Sequence, residues 1–143
     1  MKTTEWLEKN QAEHPVDIHK VFSIKDRIRS FRFAIHGFHM MLKSQHNAWV
    51  HATATVLVIG LGFAFHINHH EWCWIVLAMI SVWTAEALNT ALEFIADVAS
   101  PEFHPLVKSA KDVAAAAVML SALGALIIGL LILVPPLWAV ISS

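Results

Sequence analysis

The chain has 143 residues, 57% hydrophobic and 15% charged, which is more apolar material than one soluble domain of that length can hide. That composition excludes an ordinary soluble enzyme and points to an all-α membrane protein. Six Trp and no Tyr leave Trp to supply any interfacial aromatic belt. The formal net charge of −1 conceals a strong asymmetry along the chain. The lone Cys73 has no intramolecular partner and reads as a small buried apolar residue.

Residues 1–23 are polar and unpatterned and read as a flexible cytosolic tail. No apolar run followed by a small-residue cleavage site occurs in the first 45 residues, so no secretory signal peptide is expected. Over 24–44, Ile28, Phe31, Ile35, Phe38 and Leu42 recur at helical spacing, while Lys25, Arg27, Arg29 and Arg32 fill the other side. A basic amphipathic helix beside a membrane segment is expected to lie at the interface, attracted by anionic lipid. Residues 48–67 carry no formal charge and are about the ~20 residues that cross a bilayer core. "HINHHE" then reads as a short loop. A second span is expected over 72–99, where the proline-flanked "SPEFHP" breaks it. Ser100 followed by Pro101 has the form of an N-cap and first-turn pair. A third span is expected over 106–134, with Pro135 and Pro136 ending or kinking it. Residues 24–143 thus form a single membrane domain: a surface helix and three transmembrane helices.

Eight of the ten Lys and Arg precede the first span, and the other two, Lys108 and Lys111, follow the second. The excess of positive charge on the cytosolic side then places the N-terminus and the second loop in the cytosol and the C-terminus outside.

The sequence "AEALNTALEFIAD" sets Glu86, Asn89, Glu93 and Asp97 within an arc of roughly 80° on the second transmembrane helix. Glu86 is the deepest, about one to two turns inside the membrane. Carboxylates in lipid normally face a bundle interior or a wet cavity, and one held there is a candidate general base. Glu93 has a structural alternative, a pair with Lys111, and Asp97 reads equally as a solvated residue past the membrane end. The start of the third span adds Lys108, Lys111 and Asp112, followed by the small residues Ala114–Ala117 that permit close helix packing. Carboxylates that can hold magnesium, beside lysines that can hold phosphate, suggest phosphoryl transfer from a cytosolic nucleotide. No Walker A loop and no kinase glycine loop supports that reading.

The segment "EALNTALEFIADVASPEFHPLVKSAKDVAAAAV" resembles the small bacterial integral-membrane diacylglycerol kinase/undecaprenol kinase family. It fills every position of E-x-x-N-[ST]-A-x-E-x-x-x-D, then S-x-E-[YF]-H, then K-D before small residues. Weaker resemblance runs back through "HNAWVHA" and "RSFRFAIHGF" to about Lys25. The resemblance implies a homotrimer in the bacterial inner membrane, with active sites between subunits at the cytosolic interface. It implies transfer of the ATP γ-phosphate to a lipid hydroxyl with magnesium, and no nucleic-acid partner. It makes Glu86 the proton acceptor, Glu93 a metal ligand, and Glu102, Phe103, His104, Lys111 and Asp112 the nucleotide contacts. Asn89 and Asp97 support the site. Phe33 and Arg29 fall near nucleotide or lipid contacts in a looser alignment. One position departs from the family: Gln45 stands where a second carboxylate ligand for the metal is expected, and it offers a carbonyl oxygen in place of a full charge.

"SPEFHPL" and "AKDVAA" lean toward undecaprenol as substrate, with diacylglycerol the alternative. An ion or proton relay, a lipid phosphatase and a kinase-dead homologue are the competing readings, the last two motivated by Gln45. A relay has no need of "SPEFHP" or of the Lys111–Asp112 pair. His66, His69 and His70 read as solvated interfacial residues rather than a zinc site, and His46 and His51 as interface residues. Gly60, Gly62, Gly124 and Gly129 read as helix-packing positions.

Overall fold

The structure, a computed structural model, describes residues 23–142, so the tail expected over 1–23 lies outside the described residues apart from Ser23. Among them all regular structure is helical: α1 (Ile24–Ser44), α2 (His46–Ala64), α3 (His69–Ala99) and α4 (Pro105–Ile141). The helices α2, α3 and α4 are each long and apolar enough to cross a membrane. The chain divides into two compact units, the first ending at Ile35 inside α1 and the second running from His36.

In the first unit, Ile24, Ile28, Phe31 and Ile35 are exposed, and the Arg29 guanidinium lies over the Phe33 ring at 5.6 Å, a cation–π contact. In the second unit, α3 packs chiefly on α4, and α2 touches both more lightly. Ile75, Ala78 and Val82 recur at three- and four-residue steps and form the buried apolar face of α3. Trp83 ties α3 to its neighbours: its Nε1–H donates to Thr55 Oγ1 at 3.2 Å, and its ring lies 5.1 Å from that of Phe38.

The turns follow local chemistry inside "HINHHE" and "SPEFHP". The end of α2 closes in a Schellman arrangement: His66 N–H donates to Phe63 O, and Ile67 N–H to Gly62 O. His66 takes the left-handed conformation, φ 52°, that glycine usually fills there. α3 then begins inside "HINHHE". Asn68 accepts from the Glu71 N–H while the Glu71 side chain accepts from the Asn68 N–H, a capping box that satisfies two helix-end donors. Ser100 closes α3, donating its N–H to Ala96 O, rather than opening the next helix. The N-cap of α4 is His104, whose Nδ1 accepts from Leu106 N–H, with Pro105 in the first turn.

Three further expectations are corrected. α4 does not end at Pro135–Pro136 but runs to Ile141, although neither proline has an N–H to donate. Cys73 is exposed, since α3 buries only the face turned to its neighbours. Of the glycines expected to serve packing, only Gly62 has a close neighbour: a Cβ there would meet the Trp72 ring at 2.8 Å, whereas Gly60, Gly124 and Gly129 meet nothing within 4 Å.

Candidate active site

Helix periodicity places Glu86, Asn89 and Glu93 on one side of α3, and the packing of α2 and the α1–α2 junction decides what they meet. Glu86 is 0% exposed, and neither of its carboxyl oxygens has a hydrogen-bond partner. The facing group is His51 on α2: its Nε2 is also buried and unpartnered, 4.0 Å from Glu86 Oε2, beyond hydrogen-bonding distance. Thr90 donates its hydroxyl back to the Glu86 carbonyl at 2.9 Å, so its own polar group is satisfied inside the helix.

One turn further along, Glu93 is gripped at both oxygens. Asn89 Nδ2 donates to Oε1 at 3.1 Å, and Gln45 Nε2 donates to Oε2 at 2.5 Å. Gln45 occupies the N-cap of α2 in an extended conformation, yet its side chain caps nothing; it crosses to α3 instead. Asn89 spends its amide nitrogen on Glu93 and leaves Oδ1 buried without a partner. Asn89, Glu93, His51 and Asn47 open on one cleft of ≈ 260 Å³.

Lys111 and Asp112 adjoin in sequence but part company in space. Lys111 Nζ reaches across to Asp97 Oδ1 at 2.6 Å, so its partner is Asp97 and not Glu93. Asp112 pairs along α4 with Lys108 Nζ, also at 2.6 Å. Glu102, Phe103 and His104 lie exposed in the α3–α4 connection, where the Glu102 carbonyl accepts from Ser100 Oγ at 2.9 Å. Arg29 and Phe33 belong to the first unit, where they stack on each other.

Among the described residues no three His, Cys, Asp or Glu side chains are grouped to hold a metal ion. The donor set nevertheless suits magnesium, which takes one or two carboxylates and completes its octahedron with water and substrate phosphates. Glu93 would supply the carboxylate, and Gln45, which turns its amide N–H to Glu93, would have to rotate to offer its carbonyl oxygen.

Sequence reasoning set His51 near the proposed site but read it as an interface residue, and so did not pair it with Glu86. The available signal was a polar side chain inside an otherwise apolar stretch, but which side of α2 faces α3 is a matter of packing.

Residues 32–133 match the family described as prokaryotic diacylglycerol kinase. The chain is 38% identical over 109 residues to the undecaprenol kinase of Bacillus subtilis, covering 76% of this chain and 89% of that protein. It is 38% identical over 109 residues to the diacylglycerol kinase of Synechocystis sp., covering 76% of this chain and 62% of that one. No solved structure matches it. With a family match across most of its length and relatives at this identity, the chain belongs to the prokaryotic diacylglycerol kinase family.

Proposed function

We propose that this protein is a lipid kinase that transfers the γ-phosphate of ATP to the hydroxyl of a membrane lipid, undecaprenol in the first place and diacylglycerol as the alternative. The observation that carries the reading is Glu86: a fully buried carboxyl group with two unpartnered oxygens, in a chain of this kinase family. Leaving such a group unsatisfied opposes folding, which favours a functional reason for its presence.

Glu86 takes the proton of the lipid hydroxyl as that oxygen bonds to the γ-phosphorus. The bond from the γ-phosphorus to the bridging oxygen breaks, and ADP leaves with the electron pair. Glu93 and, with its amide turned, the Gln45 carbonyl oxygen would hold magnesium, which would supply neutralisation of phosphate charge. Asn89 steadies Glu93 through the Nδ2 bond. Lys111 and Asp112, with Glu102, Phe103 and His104 in the connection, contact the nucleotide. Asp97 holds Lys111 in place until phosphate replaces it. Phe33 and Arg29 lie at nucleotide or lipid contacts.

The same reading gives the molecule its setting: a multi-pass protein of the bacterial inner membrane with a cytosolic N-terminus and an external C-terminus. The tail over 1–23 precedes a kinase domain over 24–143. The amphipathic stretch of α1 lies at the interface, which its exposed Ile24, Ile28, Phe31 and Ile35 support. A homotrimer with sites between subunits belongs to the same reading.

The test is a side-by-side lipid panel. Purified protein in mixed micelles, given labelled ATP and magnesium, is expected to phosphorylate undecaprenol faster than diacylglycerol. If neither lipid is labelled, and Gln45→Glu does not restore transfer, the kinase reading is lost in favour of an ion or proton relay.

A further inference from the structure

We propose that His51 is a positioning residue for Glu86, its Nε2–H holding the carboxylate in the orientation that receives the lipid hydroxyl's proton; this rests on Glu86 being the base. His51 Nε2 and both Glu86 oxygens are buried without partners, and the nearest approach between the two groups is 4.0 Å. An adjustment of about 1 Å closes the gap to a hydrogen bond. Catalytic hydrogen bonds are often long before substrate binds and tighten in the complex. Forming the bond satisfies a donor and an acceptor that otherwise remain desolvated and unpaired.

The imidazole is already aimed. Its ring meets the Trp83 ring edge-on, with centroids 6.4 Å apart and an interplanar angle of 73°. Trp83 is itself fixed by Thr55 and Phe38. Thr55 stands one turn along α2 from His51, so the same helix that carries the histidine anchors the ring that orients it. His51 also borders the cleft shared by Asn89 and Glu93.

In the reaction His51 keeps its own proton. The lipid O–H bond breaks, its proton passes to Glu86, and the bond between the γ-phosphorus and its leaving oxygen breaks with the electron pair going to ADP. The histidine supplies one donor that holds the carboxylate in a single orientation.

The experiment compares His51→Leu, His51→Gln and Glu86→Gln in the mixed-micelle assay, with full ATP and lipid saturation curves. His51→Leu is expected to lower kcat by about tenfold or more, the loss of one hydrogen bond to a charged group, with both KM values little changed. His51→Gln carries an amide donor near the position of Nε2 and is expected to recover most of kcat. Adding His51→Leu to Glu86→Gln should leave the residual rate unchanged, because the two act as one unit. The Glu86 carboxylate infrared band, isolated as wild type minus Glu86→Gln, should shift in His51→Leu. Wild-type kcat in His51→Leu overturns the proposal, as does an unshifted band with Leu and Gln equally slow. If His51→Leu does not fold, His51→Gln is compared with His51→Asn, whose amide is too short to reach; equal rates overturn it. Full activity in Glu86→Gln is a different result, and it removes the base assignment itself.

Discussion

Glu86 and Asp97 lie on the same face of α3 and have opposite surroundings. The Glu86 side chain is 1% exposed and its carboxyl oxygens are unpartnered; the Asp97 side chain is 67% exposed and bonded to Lys111. Farther along the chain, on α4, Asp112 is likewise exposed and paired. The rim therefore holds its charges where water already solvates them and spends partners on them, whereas the interior holds a charge-bearing group and spends none. An exposed ion pair is worth little. A buried polar group without a partner opposes folding, so the interior is where stability has been given up for chemistry.

The largest effect that could break this contrast is at Glu86. Glu86→Gln should reduce turnover by roughly 10²–10⁴-fold, the range for removing a general base, while the protein stays as resistant to heat as before. Loss of stability with retained activity, measured by thermal unfolding in detergent beside the kinase assay, would make Glu86 a structural residue.

Glu93 lies between the two regimes, with both oxygens occupied by amides. Glu93→Ala is expected to weaken magnesium–nucleotide binding by roughly 10–100-fold, read by titrating magnesium into protein and nucleotide. Unchanged binding would reject its role as a metal ligand. Gln45→Glu exchanges an amide for a carboxylate next to Glu93 and should strengthen magnesium binding by about tenfold, the lower end of what a change around a metal site gives. Without metal the same variant should be the less stable protein, because two carboxylates then face each other with no donor between them.

The smallest effect belongs to the rim. Lys108→Ala removes an exposed pair made within one helix and should change unfolding free energy by less than about 1 kcal/mol, measured by chemical or thermal denaturation. A much larger loss would show that an exposed pair along one helix carries as much stability as a buried contact, and the contrast with Glu86 would then disappear.

Much of the fold was legible because membrane helices advertise themselves locally. Three long apolar segments, the break at "SPEFHP" and the acidic stripe can each be read from a window of one helix. Helix ends were less legible where an unusual residue did the work. His66 takes a conformation that glycine normally marks, and His104 caps α4 where Ser100 has the more familiar composition. The Asn68–Glu71 capping box was written in the sequence but hidden inside a stretch that composition assigns to a loop.

The sequence by itself determined that Glu86, Asn89 and Glu93 share a face, since a helix repeats every 3.6 residues whatever surrounds it. It also determined the family, because the residues of that face and of the loop after it stand at fixed spacing along one stretch of chain. Their partners come from the packing of the helices. Gln45 meets Glu93 from 48 positions away, Lys111 chooses Asp97, and His51 comes to rest beside Glu86. The physical reason is that periodicity fixes angles around one axis, whereas a contact between helices depends on how those axes are rotated and shifted against each other. That is set by the packing of every side chain between them.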